Sequence, residues 1–390
     1  MTEEIQLRDA ELTDVYIFGV NEPGLIAGAY LAEQRSVRVR YLDNDKNKQN
    51  TKTGTGFPVD PPSVLKADDT VIIALVSEAG RKSVEEQVRS LGCRKIYTLN
   101  RDEMRIVRDL ISDRAFILAL WQVIMKKPLD LSCPVTYNEK LQWLKLYYRN
   151  PLLGRLVDKE EVKSYVRERI GDEAVIPTIG LWESPEEIDF ESLPDQFVLK
   201  CTHDSGGTCI CRDRDKFDEE KVKAFLGEHL KKNFYYLGRE WPYRDVKPRI
   251  IAEPYLEDED TKELRDYKFF CFDGKARIMF VASDRFLADE PYFDFFDTSF
   301  RHLDIVNGHP NADFPIKKPA SFEQMLQAAE KLSEGLPHAR VDFYEVNGKM
   351  YFGEITFYHF SGFVPFNPPE WDVTMGEWLT LPEKTGEFEC

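Results

Sequence analysis

The sequence predicts a mixed fold in two unlike parts, a small parallel α/β unit over residues 1–100 and an α+β region over residues 151–390. Three observations carry this expectation. Short β-rich runs alternate with helix-compatible stretches as far as Leu99. Beyond Asp158, strands and helices follow one another without a regular βαβ repeat. At 390 residues the chain is also long for one core.

In the first part, Val15–Gly19, Val37–Leu42, Val71–Val76 and Lys95–Leu99 read as strands. Helical stretches at Gly24–Gln34 and Glu78–Leu91 separate some of them, which predicts a Rossmann-like sheet. Residues 44–62 are polar and rich in Lys, Asn, Thr and Gly, and are expected to be a loop. The first turn, Gly19 to Gly24 with Gly28 beyond, only loosely matches a dinucleotide fingerprint, because Asn21 stands where close pyrophosphate approach needs glycine. Two readings stay open: glycines that turn a strand into a helix, or a nucleotide or sugar-nucleotide site with Asp43 as its ribose acid.

Residues 101–150 read as a helical connector, in which the apolar run Ala115–Met125 is too short to span a bilayer and suits a buried helix. A helix is expected near Lys159 and a strand within Val175–Trp182. Further strands are expected at Phe197–Lys200, Arg249–Leu256, Tyr267–Phe272 and Lys275–Ala282, with helices at Phe217–Lys232 and Phe322–Glu334. A β-hairpin and a Pro-rich tail close the chain.

Composition narrows the function. A net charge of −17 argues against a nucleic-acid partner, which needs a basic footprint, but permits a small anion held by a few local cations. The opening Met-Thr-Glu-Glu has no signal-peptide character, which points to a cytoplasmic protein. Seven cysteines show no repeated metal spacing and read as reduced thiols, Cys209 and Cys211 sharing one face of a strand.

The hairpin from His338 to Phe357 carries the densest chemistry. Alternating strands flank Asn347-Gly348, and the loop length decides which side chains meet. A two-residue loop would pair Val341 with Glu354 and set Asp342 on the opposite face. A three-residue loop, with Gly348 as the bulge residue, pairs Glu345 with Lys349, Arg340 with Glu354 and Asp342 with Phe352. The second register is the expectation. It divides Arg340, Asp342, Glu354 and Thr356 from Val341, Phe343, Tyr351, Ile355 and Phe357. Two carboxylates side by side repel unless a cation lies between them, and magnesium suits oxygen ligands shared with phosphates. The other reading of the same face is a solvated surface bridged by Arg340.

Two further stretches bear on this choice. Lys200 ends a strand and precedes Cys201-Thr-His-Asp204-Ser205-Gly206-Gly207-Thr208, a loop whose backbone N–H groups can cradle phosphate. Glu253-Pro254-Tyr255-Leu256 ends another strand, where the Pro254 carbonyl and the Leu256 N–H can read a purine edge.

Taken in order, Asp158-Lys159, Lys200 before a glycine loop, Glu253 to Leu256, and an acid twelve residues before Glu354-Ile-Thr356 resemble ATP-grasp enzymes. Asn138-Glu-Lys-Leu-Gln-Trp-Leu-Lys-Leu-Tyr-Tyr, the run from Gln196 to Gly207, and Asp266-Tyr-Lys-Phe-Phe-Cys-Phe-Asp-Gly-Lys are similar to the TupA-like branch. That branch is associated with teichuronopeptide and other surface polysaccharides, capsule included. The resemblance covers residues 126–382, about two-thirds of the chain. It implies a C-terminal ATP-grasp fold that binds ATP and Mg²⁺. Lys159 and Lys200 would meet the phosphates, Ser205, Gly206, Gly207 and Thr208 would close over them, and Glu253, Pro254 and Leu256 would hold adenine. Asp342 and Glu354 would ligate magnesium, with Thr356 standing where most of these enzymes have Asn, and Arg340 would stabilise the transferred phosphoryl group.

The implied activity is an ATP-dependent carboxylate–amine ligase working through an acyl phosphate. Its substrates would be a small-molecule or glycan carboxylate, uronic acid-containing, and an amine or amino acid. The stretch Tyr358-His359-Phe360-Ser361-Gly362 is expected to line the cleft, and Lys268, His203 and Arg285 are further acceptor-side candidates. A phosphotransferase on the same scaffold, a sugar-nucleotide-dependent glycosyltransferase and a non-catalytic ATP-binding module are the rivals. The resemblance leaves room for a homo-oligomer or for polysaccharide-assembly partners.

Overall fold

The structure is a computed structural model and describes residues 3–259, 262, 264–283 and 290–385. Two compact units divide between Ser132 and Cys133.

The first unit holds a seven-stranded sheet in the order Glu3–Ile5, Lys95–Leu99, Thr70–Ile73, Asp14–Phe18, Arg38–Leu42, Pro58–Asp60, Thr51–Lys52. All neighbours are parallel except the last pair. Helices Glu22–Arg35 and Glu78–Ser90 fall close to where the periodicity placed them. Residues 44–62 are a correction: Thr51–Lys52 and Pro58–Asp60 form a small antiparallel pair on the sheet edge. Strands of two or three residues are too short to show periodicity; Pro58–Asp60 forms by pairing with Tyr41 and Leu42, and Thr51–Lys52 by pairing with it in turn.

The glycines of the first turn serve packing. A Cβ on Gly28 would lie 1.9 Å from the Tyr41 hydroxyl, and one on Gly24 would lie 2.3 Å from the Gly19 carbonyl oxygen. Asn21 is the helix N-cap, accepting from the Gly24 N–H at 3.0 Å. The run Ala115–Met125 lies in helix Asp113–Met125, with Phe116, Ile117, Ala119 and Trp121 fully buried. Among the described residues no helix is long and apolar enough to cross a membrane.

The second unit carries two antiparallel sheets. The smaller runs Thr208–Cys211, Phe197–Cys201, Ile250–Pro254, Gly180–Trp182. Its inner residues Phe197, Leu199, Ile250 and Ala252 share a core with Leu226 of helix Glu219–Leu230. The larger runs His302–Leu303, Tyr292–Asp297, Lys275–Ser283, Asp266–Phe272, His338–Val346, Lys349–Thr356. Its centre is buried throughout, every residue of Asp266–Phe272 included. The tail is a second correction, since helix Glu370–Trp378 follows its prolines. Its Asp372 accepts from the Asn138 N–H at 2.9 Å, a partner remote in sequence.

The hairpin register is the third correction. Val346 pairs with Lys349, so the loop has two residues, and Asn347 and Gly348 both take positive φ, 53° and 75°. Left alone, that loop would set Asp342 and Glu354 on opposite faces. A β-bulge between Asp342 and Phe343 shifts the pairing by one, with Gly353 as the extra residue. Asp342 then stands opposite Glu354 and Arg340 opposite Thr356, while Tyr351 stands opposite Tyr344 and not with Phe343. A Cβ on Gly353 would sit 3.0 Å from the Asp342 carbonyl oxygen, so glycine lets the bulged strand approach its partner.

Candidate functional site

The smaller sheet and the edge of the larger one line a cavity of about 400 Å³ within the second unit. Ten of the residues singled out in the sequence lie on its wall: Lys159, Lys200, Ser205, Gly206, Thr208, Glu253, Pro254, Leu256, Lys268 and Glu354. Gly207 is beside the wall, where a Cβ would come within 2.7 Å of the Asp204 carboxylate oxygens.

The cations are placed by backbone geometry. Asp158 closes the turn leading into helix Glu161–Ile170 by accepting from the Glu160 and Glu161 N–H groups at 2.8 and 3.0 Å. The Lys159 N–H donates to the Thr202 carbonyl at 3.1 Å, and Lys159 Nζ donates to the Asp204 carbonyl. Burial lowers the Lys159 pKa, against the opposing pull of Glu354 and Asp204. Lys200, opposite Ile251 and so diagonal to Glu253 across the ladder, donates to Glu253 Oε2 at 2.7 Å. Lys163, which the sequence reading passed over, donates to Glu253 Oε1 at 2.7 Å. Its signal was available, since it lies one helical turn beyond Lys159. Glu253 is buried, which would raise its pKa, but Lys200 and Lys163 outweigh that and hold it below the usual range. The Glu253 side chain therefore balances two lysines. Leu256, just past the strand end, has no acceptor for its N–H among the described residues. Val175, Ile176 and Val198 give this part of the cavity an apolar wall.

Behind Glu354 and Lys268 lies a closed ionic array. Asp342 is fully buried. Arg340 grips it with Nε to Oδ1 at 2.8 Å and Nη2 to Oδ2 at 2.7 Å. The same Nη2 reaches Glu354 Oε1 at 3.0 Å and Thr356 Oγ1 at 2.9 Å. The Thr356 hydroxyl donates in turn to Glu354 Oε1 at 3.1 Å. Lys268, directly across from Asp342, donates to its Oδ2. Burial opposes ionisation of Glu354, yet Lys268, Arg340 and Lys159 hold its pKa far below the ordinary carboxylate range. The paired acids that the sequence pointed to are therefore held together by the chain's own cations.

His359 steadies the array from behind. Its Nδ1 accepts from Arg340 Nη1 at 2.8 Å, and its Nε2 donates to Asn307 Oδ1 at 2.8 Å. Burial and the charges of Arg340 and Lys268 keep it neutral. Tyr358 is buried beside it, and the stretch Tyr358–Gly362, expected to line the cleft, contributes no residue to the cavity wall. His203 is buried at a different place, bonded to the Lys232 carbonyl at 3.1 Å and absent from the cavity wall. Arg285 lies outside the described residues.

His338, two residues before Arg340, accepts from the Tyr137 hydroxyl at Nε2 and donates from Nδ1 to the Cys271 carbonyl, both at 2.9 Å. Burial pushes its pKa down to about 3. A histidine depressed in the folded state and ordinary in the unfolded state contributes stability that is whole above about pH 6.5 and falls as pH drops. This one group should cost about 2 kcal/mol of unfolding free energy at pH 5. Urea unfolding at pH 7.5 and pH 5 should show that loss shrinking in His338→Gln; an equal loss in both proteins would contradict the assignment.

The residues present suit the implied groups. Lys159, Lys163, Lys200, Lys262 and Lys268, with an apolar wall in the same cavity, fit a nucleotide polyphosphate. Asp342, Glu354 and Thr356 carry the hard oxygens that magnesium takes, and Glu354 lies on the cavity wall; Arg340 and Lys268 hold both Asp342 oxygens and Arg340 holds Glu354 Oε1 and Thr356 Oγ1, so a magnesium ion would have to displace these cations. Among the described residues no cluster of three or more His, Cys, Asp or Glu side chains is placed to hold a metal, so this set is two carboxylates and a hydroxyl.

A family model described as TupA-like ATPgrasp matches residues 139–380. No curated protein matches the chain. Among solved structures, the chain is similar to D-alanine–D-alanine ligase from Bacillus anthracis complexed with ATP, at 14% identity and a TM-score of 0.32, covering 89% of this chain and 86% of that one. It is also similar to the ATP-grasp ligase PsnB complexed with minimal precursor, Mg and ADP, at 11% identity and a TM-score of 0.29, covering 89% and 90%. A third is N5-carboxyaminoimidazole ribonucleotide synthetase from Thermus thermophilus, at 11% identity and a TM-score of 0.28, covering 88% and 71%.

Proposed function

The chain belongs to the TupA-like ATP-grasp family, and from that premise we propose that it is an ATP- and magnesium-dependent ligase joining a carboxylate to an amine. The observation that carries this reading is the single cavity holding Lys159, Lys200, Lys268 and Glu354, backed by the Arg340–Asp342 array.

Lys159 and Lys200 meet the phosphates, and the loop Ser205–Thr208 covers them. The Leu256 N–H and Pro254 carbonyl read the adenine edge against Val175, Ile176 and Val198. Asp342, Glu354 and Thr356 would hold magnesium, which would supply charge neutralisation on the phosphate oxygens. Arg340, braced by His359, and Lys268 offset the negative charge that builds as the γ-phosphoryl group moves to a carboxylate oxygen. The protein's work is positioning and electrostatics, with no covalent enzyme intermediate. A uronic-acid glycan or its precursor as the carboxylate and an amino acid as the amine are the proposed substrate class, supported by the branch alone.

An ADP-release screen of uronic acids and acidic glycans against amino acids and amines, with mass spectrometry of the product, tests the reading. ADP release that needs both partners, with an amide product, is the expected result. Phosphate found on the product would select a phosphotransferase instead.

A further inference from the structure

Lys268 closes Asp342 off from the cavity. Asp342 is fully buried and absent from the cavity wall, while Lys268 is on the wall and donates to Asp342 Oδ2. Arg340 holds the same carboxylate but is also absent from the wall, so it grips Asp342 from behind. Of the cations that a metal at Asp342 has to displace, Lys268 is therefore the one that stands in the way.

A second carboxylate lies within its reach. Lys268 Nζ is 3.4 Å from Asp266 Oδ1. Alternation along strand Asp266–Phe272 puts these two residues on one face, with Lys268 opposite Asp342 and Asp266 opposite Tyr344. Asp266 is 1% exposed, lines the cavity and has no role in the scheme above. Among the described residues, Asp342 and Asp266 are the two polar partners of the Lys268 side chain.

The two cations differ in freedom. The planar fork of Arg340 is fixed by acceptors on Asp342, Glu354, Thr356 and His359. Lys268 carries a compact ammonium on a flexible four-carbon stem, which can turn from one carboxylate to the other without leaving the wall. The ammonium is too deeply buried to be left unpaired cheaply. Nor can it stay, because a second cation at the same oxygen repels it.

We propose that Asp266 is a positioning residue that receives Lys268 when magnesium is bound. The Lys268 ammonium passes from Asp342 Oδ2 to Asp266, which uncovers Asp342 toward the cavity and keeps a positive charge on the wall for the phosphates. No covalent bond changes, and Lys268 keeps its proton because a carboxylate meets it at each end of the move. Asp266 sets how readily the metal site opens, and touches neither the metal nor the reacting atoms. The assignment rests on the ATP- and magnesium-dependent reading given above.

The test reads binding rather than turnover. Calorimetric titration with AMPPNP, with and without magnesium, gives the gain in affinity that the metal confers. Asp266→Asn, which holds Lys268 on Asp342, should cut that gain about tenfold and leave the magnesium-free affinity within about threefold of wild type. Asp266→Glu keeps the charge and should retain most of the gain. In Lys268→Met, which has no ammonium to relocate, adding Asp266→Asn should change the gain by less than about threefold. The same cut in both backgrounds, or equal losses in Asp266→Asn and Asp266→Glu, overturns the proposal. A matching loss of magnesium-free affinity makes Asp266 structural and overturns it too. If the wild-type chain binds AMPPNP with no gain from magnesium, the magnesium reading fails and takes this assignment with it; a wild-type gain that Asp266→Asn leaves intact removes this assignment alone.

Discussion

Replacing Asp342 with asparagine is expected to lower magnesium-dependent ADP release by about 10³-fold, the scale seen when one preorganised charge is removed from a polar transition state. The geometry explains why so conservative a change should matter. Asp342 is fully buried, accepts two bonds from Arg340 and one from Lys268, and stands directly opposite Glu354. A neutral amide leaves Arg340 and Lys268 facing each other with half their compensation gone, and removes a proposed magnesium ligand. ATP binding measured with and without magnesium separates the two consequences. The variant should lose most of the magnesium-dependent gain in affinity and retain the magnesium-free part, which rests on Lys159, Lys200 and the loop. ADP release within tenfold of wild type would contradict the proposed roles of Asp342.

The second large effect concerns stability. Glu253→Gln should cost about 3–5 kcal/mol of unfolding free energy, because it leaves Lys163 and Lys200 without the charge that balances them in a buried setting. Exposed pairs of the same type would cost far less. The sign of the pH dependence follows from the depressed pKa of Glu253. Its stabilisation is present above the unfolded value near 4.3 and is lost as pH falls through the folded value, so the gap between wild type and variant should close in acid. ATP with magnesium should restore part of the loss, since phosphate oxygens can take over from the carboxylate at Lys200. Urea unfolding with and without nucleotide measures both. A cost below about 1 kcal/mol at neutral pH would place the two lysines in a more solvated setting than the structure describes.

Part of this site was legible in the residues themselves. Lys200 before a glycine loop, the Glu253-to-Leu256 stretch and the Asp342/Glu354 pair are local patterns, each set by a strand end or a hairpin, and the fold brings most of them to one cavity. The hairpin shows the limit. Asn347-Gly348 correctly marks the turn, but the alternation pattern admits two registers, and the structure uses the shorter loop together with a bulge at Gly353. A bulge is one residue long and depends on the partner strand, so periodicity carries no trace of it. His359 was named only within the stretch Tyr358–Gly362, and its partner Asn307 was not named, for a related reason. The two are more than fifty residues apart and meet only in the folded chain.

The parallel α/β character of the first unit, the α+β class of the second and the family to which the chain belongs follow from the sequence by itself, because they depend on hydrophobic period, turn chemistry and short motifs that neighbouring residues define. The tertiary structure decided which charges neutralise which. Glu253 balances Lys163 and Lys200, and Arg340 and Lys268 hold Asp342. Charge pairing falls off with distance and strengthens with burial, and neither quantity is written in the order of the residues.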